Sequence, residues 1–211
     1  MDSALVQVPV SVIGGYLLGS VPVAVLVARA HGFDPRDVGD RNPGFWNVRE
    51  RLGGRGAAPV FAGDLLKGLL AGLLGLLAGG AHTTALGVVA GPSVPTAYAA
   101  VAAAMAGHAW PVFAGFRGGR SILAFAGGFA VLCPPAFALG LALLAVTAAL
   151  TRSFTIAART AVFALPVAQL LFAPIGHVAA TGALMCLIGL RFAQAALTGR
   201  RSGPSRRRTG N

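Results

Sequence analysis

"GLLAGLLGLLAGGAHTTALGVVAGPSVPTAYAAVAAAMAGHAWPVFAGF", residues 68–116, contains no lysine or arginine. A helix needs roughly 20 consecutive apolar residues to cross a bilayer. The stretch has room for the end of one such helix, a short turn and a second helix. It predicts crossings at about 57–79 and 84–106.

The rest of the chain repeats this pattern. Hydrophobic residues make up 55% of the sequence and charged residues 11%, with a mean hydropathy of +0.74. Residues 10–28 and 121–150 are also long runs with few or no charges. These values exclude an ordinary soluble domain and predict an all-α, polytopic membrane bundle. The 30 glycines suit closely packed helices, because small residues let backbones approach where lipid supplies no hydrophobic drive. One domain over 1–198 is expected, followed by a basic tail, 199–211, without apolar periodicity and expected to be disordered.

The basic residues orient the bundle. All 17 lysines and arginines fall at Arg29 to Lys67, Arg117 and Arg120, Arg152 and Arg159, or Arg191 to Arg208. With these clusters on the cytoplasmic side, the N-terminus lies outside and a first helix, about 4–28, runs inward. Residues 29–56 then form a cytoplasmic loop. The crossings at 57–79 and 84–106 bring residue 107 back to that face. Between Arg120 and Arg152, "CPP" at 133–135 splits the apolar run into a hairpin with two short arms, either tilted or re-entrant. Helices at about 159–173 and 178–197 complete a set of about seven, two of them short, with the C-terminus cytoplasmic. No basic segment precedes the first apolar run, so it is expected to remain in the protein rather than to be cleaved as a signal peptide.

Cys133 and Cys186 both lie in apolar runs, so neither a disulfide framework nor a thiolate metal cluster is expected. The tail's arginines suit anionic lipid or nucleic acid, although a simple positive-inside anchor accounts for them, and no nucleic-acid partner is expected. The sequence names no protein partner.

This topology gathers three polar segments at one face: "DVGDRNPGFWNVRERLG" (37–53), "GHAWPVFAGFRGGR" (107–120) and "TRSFTIAAR" (151–159). Arg117 and Arg120 flank Gly118 and Gly119. Guanidinium groups bind phosphate oxygens bidentately, and a glycine turn presents backbone donors to an anion. His108 is open to three readings: general base, phosphate ligand, or a helix-end residue bonding backbone carbonyls. Asn42 and Asn47 flank a Pro-Gly turn, where asparagine serves either as a backbone cap or as a site residue. Asp64 and Lys67 are one helical turn apart and able to pair, as anchors or as part of a site. His82 and His177 read as structural residues of the outer turns.

Taken in order, "GYLLGSVPVAVLVA" (15–28), "NPGFWNV" (42–48), "DLLKG" (64–68) and "GHAWPVFAGFRGGR" resemble the bacterial acyl-phosphate:glycerol-3-phosphate acyltransferase family, over roughly residues 14–160. The resemblance implies a multi-pass enzyme of the inner membrane. Such an enzyme moves an acyl chain from acyl phosphate to the first hydroxyl of glycerol 3-phosphate, giving lysophosphatidic acid, with no cofactor and no metal. It implies catalytic roles for Asn42, Asn47, His108 and Arg120. It implies substrate-binding roles for Arg49, Arg51, Asp64, Lys67, Arg117, Gly118, Gly119 and Thr155.

The chain departs from the family pattern at several of these places. Asp40 and Arg41 stand where the family has serine and glycine, and Arg41 is the expected partner of Asp40. Phe45 and Trp46 replace a small pair, Arg120 replaces a lysine, and Thr155 stands for a serine. The usual arginine after the first motif is displaced to Arg49 or Arg51. The last helix, "LIGLRFAQAALTGR" (187–200), has no His, Asn or Glu. A catalytically impaired homologue that binds anionic lipid or phosphorylated metabolites is the alternative. In either case no covalent nucleophile is called for. An acyl phosphate is already activated, so the protein's task is to hold two anions, align a hydroxyl on a carbonyl and stabilise developing charge.

Overall fold

In the computed structural model, backbone is described for residues 3–201 and side chains for 6–197. The helices are α1 (Ser3–Ser20), α2 (Val23–Ala30), α3 (Phe45–Ala78), α4 (Ser93–Ala109), α5 (Ile122–Leu132), α6 (Pro134–Thr151), α7 (Phe154–Gln169) and α8 (Ile175–Arg201), with a 3-10 turn at Val112–Ala114. Because α1 and α2 are two halves of one crossing, Val6–Ala30, the bundle has seven helical segments among the described residues. Five are long and apolar enough to span a membrane, and Ile122–Leu132 and Phe154–Gln169 are shorter. α8 continues through Arg201, and the remainder of the expected tail, 202–211, lies outside the described residues.

The helix ends differ from the sequence expectation for identifiable reasons. α4 starts at Ser93 rather than near 84, because Gly87 and Gly91 adopt φ of 76° and 51°. The intervening residues form a turn closed by a bridge between Thr83 and Val89. The expected cytoplasmic loop 29–56 is partly helical. Phe45 to Leu52 form the first turns of α3, which kinks at Gly53 with φ 70°. No atom lies near enough to exclude a side chain at Gly53, so glycine serves there for its backbone freedom alone. The hairpin arms are unequal. At 11 residues and 1.5 Å per residue, α5 reaches about half of a bilayer core. By contrast, α6 runs for 18 residues.

Small residues set the packing. A Cβ on Gly15 or Gly19 of α1 would strike the backbone of Ala100 or Ala104 on α4, and one on Gly68 of α3 would strike Ala124 of α5. These helices therefore meet backbone to backbone. α5 is sealed between them, with Phe125, Phe129 and Leu132 fully buried beside Met105 and Val101. The consequence for the polar motifs is positional. The α2–α3 loop, the segment after α4 and the C-terminal part of α8 come together at one end.

Candidate functional site: an arginine-lined cleft over a buried charge cluster

The break between α1 and α2 begins the site. Pro22 interrupts the helix, and the carbonyl of Val21 beside it accepts a hydrogen bond of 2.7 Å from Lys67 Nζ. Lys67, the chain's only lysine, also pairs with Asp64 at 3.0 Å and lies 3.3 Å from His108 Nδ1. His108 Nδ1 is in turn 3.5 Å from Asp64. All three side chains are buried. One turn of α3 thus places an acid and a base together, and the end of α4 supplies the imidazole.

The glycine loop rests on this cluster. Gly119 donates its N–H to the His108 carbonyl at 3.0 Å. A Cβ at Gly119 would collide with the His108 ring, and one at Gly118 with the His108 carbonyl and the Pro111 ring. Both glycines are required by close approach. From the other side Arg191 of α8 donates to the carbonyls of Gly118 at 2.8 Å and Gly119 at 3.1 Å. Its guanidinium also bonds Gln194 and lies over the Trp110 ring, 5.2 Å from the centroid.

The α2–α3 loop is stapled by Asn47. Its amide nitrogen donates to the carbonyls of Pro35, Val38 and Asn42 at 2.7, 3.0 and 3.2 Å. Gly39, at φ 57°, sits so close that a Cβ would meet the Asn47 side chain. Arg36 ties the loop to the next one. It grips Asp34 through two bonds, at 2.9 and 2.6 Å, and donates to the Ala114 carbonyl at 3.1 Å. Hydrogen bonds from Arg36 together with its charge, and a further hydrogen bond from Arg29, outweigh partial burial and hold the Asp34 carboxyl well below the usual carboxylate range.

Between these loops and α8 lies a cleft of about 820 Å³. Its wall includes Arg36, Arg41, Arg117, Arg120 and Arg191, one acid, Asp40, and the apolar faces of Phe116, Trp110 and Leu197. Asn42 and Gly118 also reach it. A much smaller cavity, about 10 Å³, lies below and touches Asp64, Lys67, His108, Gly118 and Gly119. That volume holds about one water.

Most of the residues singled out in the sequence therefore meet here, but not all in the expected way. Asp40 does not pair with Arg41. Its Oδ2 accepts from Arg120 at 2.9 Å, while Arg41 takes a left-handed φ of 57° and makes no ion pair among the described residues. Three residues lie away from both the cleft and the buried cluster and loops that frame it. Arg49 is exposed over the Trp46 ring and Arg51 over Phe33. Thr155 is exposed at the start of α7, next to Phe154, which packs on Trp46. Sequence reasoning missed Arg36 and the clamp formed by Arg191. The available signal for Arg191 was a lone charge following the apolar part of α8.

Known proteins share these features. The family model for glycerol-3-phosphate acyltransferase matches residues 9–197. A glycerol-3-phosphate acyltransferase of Rubrobacter xylanophilus is 50% identical over 60 residues, and one of Thioalkalivibrio sulfidiphilus is 56% identical over 61. Each match covers 28% of this chain and 30% of the relative, so the aligned stretch spans about a third of the curated relatives' length. Over the whole bundle, the crystal structure of PlsY (YgiH), an integral membrane glycerol 3-phosphate acyltransferase, in its glycerol 3-phosphate form superposes with a TM-score of 0.70. The identity is 28%, with 94% of each chain covered. Its lysophosphatidic acid form gives 0.68 at 27% identity, again covering 94% of each. The match to the family model over nearly the full bundle shows that the chain belongs to the glycerol-3-phosphate acyltransferase family.

Proposed function

We propose that this protein acylates glycerol 3-phosphate at its first hydroxyl, with acyl phosphate as the donor and lysophosphatidic acid and phosphate as products. The observation that carries this reading is the charge imbalance of the cleft: five arginines against one aspartate, beside apolar walls. Two phosphate-bearing substrates need such a surplus of positive charge, and an acyl chain needs the apolar side.

In the reaction the substrate hydroxyl oxygen attacks the acyl carbonyl carbon. The bond between that carbon and the phosphate oxygen breaks, and the pair of electrons leaves with phosphate. The hydroxyl proton passes to a phosphate oxygen. Arg117 and Arg120 hold the phosphates and offset the charge that develops, while Asn42 lines the same wall. His108, Asp64 and Lys67 support the glycine loop from beneath, and Asn47 and Arg191 fix the shape of the two loops. These last five are positioning residues.

The cleft end carries Arg29, Arg36, Arg41, Arg117 and Arg120, and the opposite turns carry none. That asymmetry supports a cleft on the cytoplasmic face of a bacterial inner membrane, with the N-terminus outside and the C-terminus inside. The test is an assay of purified protein in detergent or nanodiscs with a long-chain acyl phosphate and labelled glycerol 3-phosphate. Equimolar lysophosphatidic acid and phosphate are expected. A folded preparation that binds glycerol 3-phosphate without turnover would favour the alternative, a binding homologue.

A further inference from the structure

We infer that Asp40 is a tethered anion that occupies the phosphate subsite at Arg120 and sets its affinity, because the substrate phosphate has to displace it. This deepens the proposed function and rests on it. Three observations carry the inference. First, Asp40 Oδ2 accepts from Arg120 Nη1 at 2.9 Å in a cleft whose other charged wall residues are all arginines. Second, the pairing is incomplete. Asp40 Oδ1 is already spent on the Asn42 N–H at 3.1 Å, so the carboxylate meets the guanidinium through one oxygen only. Arg120 Nε is left buried, with no hydrogen-bond partner among the described residues. Third, Arg120 is held in place from behind by the ring of Phe192, 4.6 Å from the guanidinium carbon. That contact is made without Asp40.

A phosphate has oxygens to spare for Nη1 and Nη2, the two ends of the guanidinium fork, and a bidentate contact of that kind is stronger than the single one that Asp40 makes. Arg41 and Arg117, neither in an ion pair among the described residues, add charge that Asp40 alone does not neutralise. The aspartate is about half exposed, at 45%, so once displaced it is free to turn to solvent. The exchange is favourable but incurs the loss of one ion pair. Asp40 thus keeps the arginine satisfied while the cleft is unliganded and weakens every anion that uses Arg120.

The test is calorimetric titration of the purified protein with inorganic phosphate and with glycerol 3-phosphate, for the parent, Asp40→Asn and Asp40→Ser. The asparagine keeps the side-chain oxygen that caps Asn42 and removes only the charge. Relief of one partly exposed ion pair, about 1 kcal/mol, should tighten both ligands about fivefold. The same change should appear in KM for glycerol 3-phosphate rather than in kcat. In an Arg120→Gln background, where binding is weaker, Asp40→Asn should give no such gain. Unchanged or weaker binding in both Asp40 variants would overturn the inference, as would an equal gain without Arg120. Phosphate binding needs no turnover. A protein that tightens on phosphate but never transfers an acyl group would therefore refute the proposed activity and leave the role of Asp40 standing.

Discussion

Two groups of charged residues lie on either side of the Gly118–Gly119 loop, and they are built on opposite terms. Beneath it, Asp64 and Lys67 are 2% and 5% exposed and matched one to one, with His108 and the Val21 carbonyl completing the set. Above it, positive charge is in surplus around an open cleft. Buried charges are tolerated only when paired and hydrogen-bonded. Surplus charge at a surface is instead available to a ligand. The contrast separates what holds the loop from what uses it.

The largest effect should come from breaking the buried group. Lys67→Ala strips a buried carboxylate of its ammonium partner and the Val21 carbonyl of its donor, a loss of about 3–5 kcal/mol. The melting temperature in detergent should fall steeply, and turnover with it. Replacing both partners, Asp64→Leu with Lys67→Met, removes the need for pairing and should recover most of the melting temperature. Recovery of measurable turnover in the double variant is expected too, since the group supports the loop. Full stability with no turnover would instead place Lys67 in contact with substrate.

The cleft should behave in the reverse manner. Arg120→Ala removes the phosphate contact proposed for it, worth about 1.5–3 kcal/mol, so turnover should drop by one to two orders of magnitude while the melting temperature barely moves. Arg120→Lys should rescue part of it, since the charge survives and the fork does not. Arg117→Ala should cost less, as it is one of several arginines on that wall. A collapse of the fold in Arg120→Ala would erase the distinction between the two groups.

The two groups also differ in how legible they were. The spans could be read from hydropathy because a bilayer-crossing helix is a composition before it is a structure. The buried group was legible in part, since Asp64 and Lys67 share a helix face at three-residue spacing. What the sequence hid is everything set by chain reversal. Residues 84–92 are as apolar as a helix, but Gly87 and Gly91 turn them. Asp40 is adjacent to Arg41 and yet pairs across the cleft with Arg120, 80 positions along. Arg36 and Arg191 reach carbonyls of a segment that no local pattern connects to them.

Arg49 and Arg51 test this lesson where the smallest effect is expected. By order along the chain they stand in for the arginine that follows the first motif. By position they lie beyond the turn that Asn47 staples, stacked outward on Trp46 and Phe33. An exposed cation–π contact contributes about 0.5–1 kcal/mol, and none of it is spent on the cleft. Arg49→Ala and Arg51→Ala should each lower the melting temperature slightly and leave KM for glycerol 3-phosphate within about twofold, the range of ordinary surface substitutions. Their loss should matter more for how α3 sits at the membrane surface than for what the cleft holds. A tenfold rise in KM from either change, in a protein that melts normally, would show that the loop closes over the substrate and brings that arginine in. The boundary drawn here between the wall of the cleft and its surroundings would then have to move outward by one turn of α3.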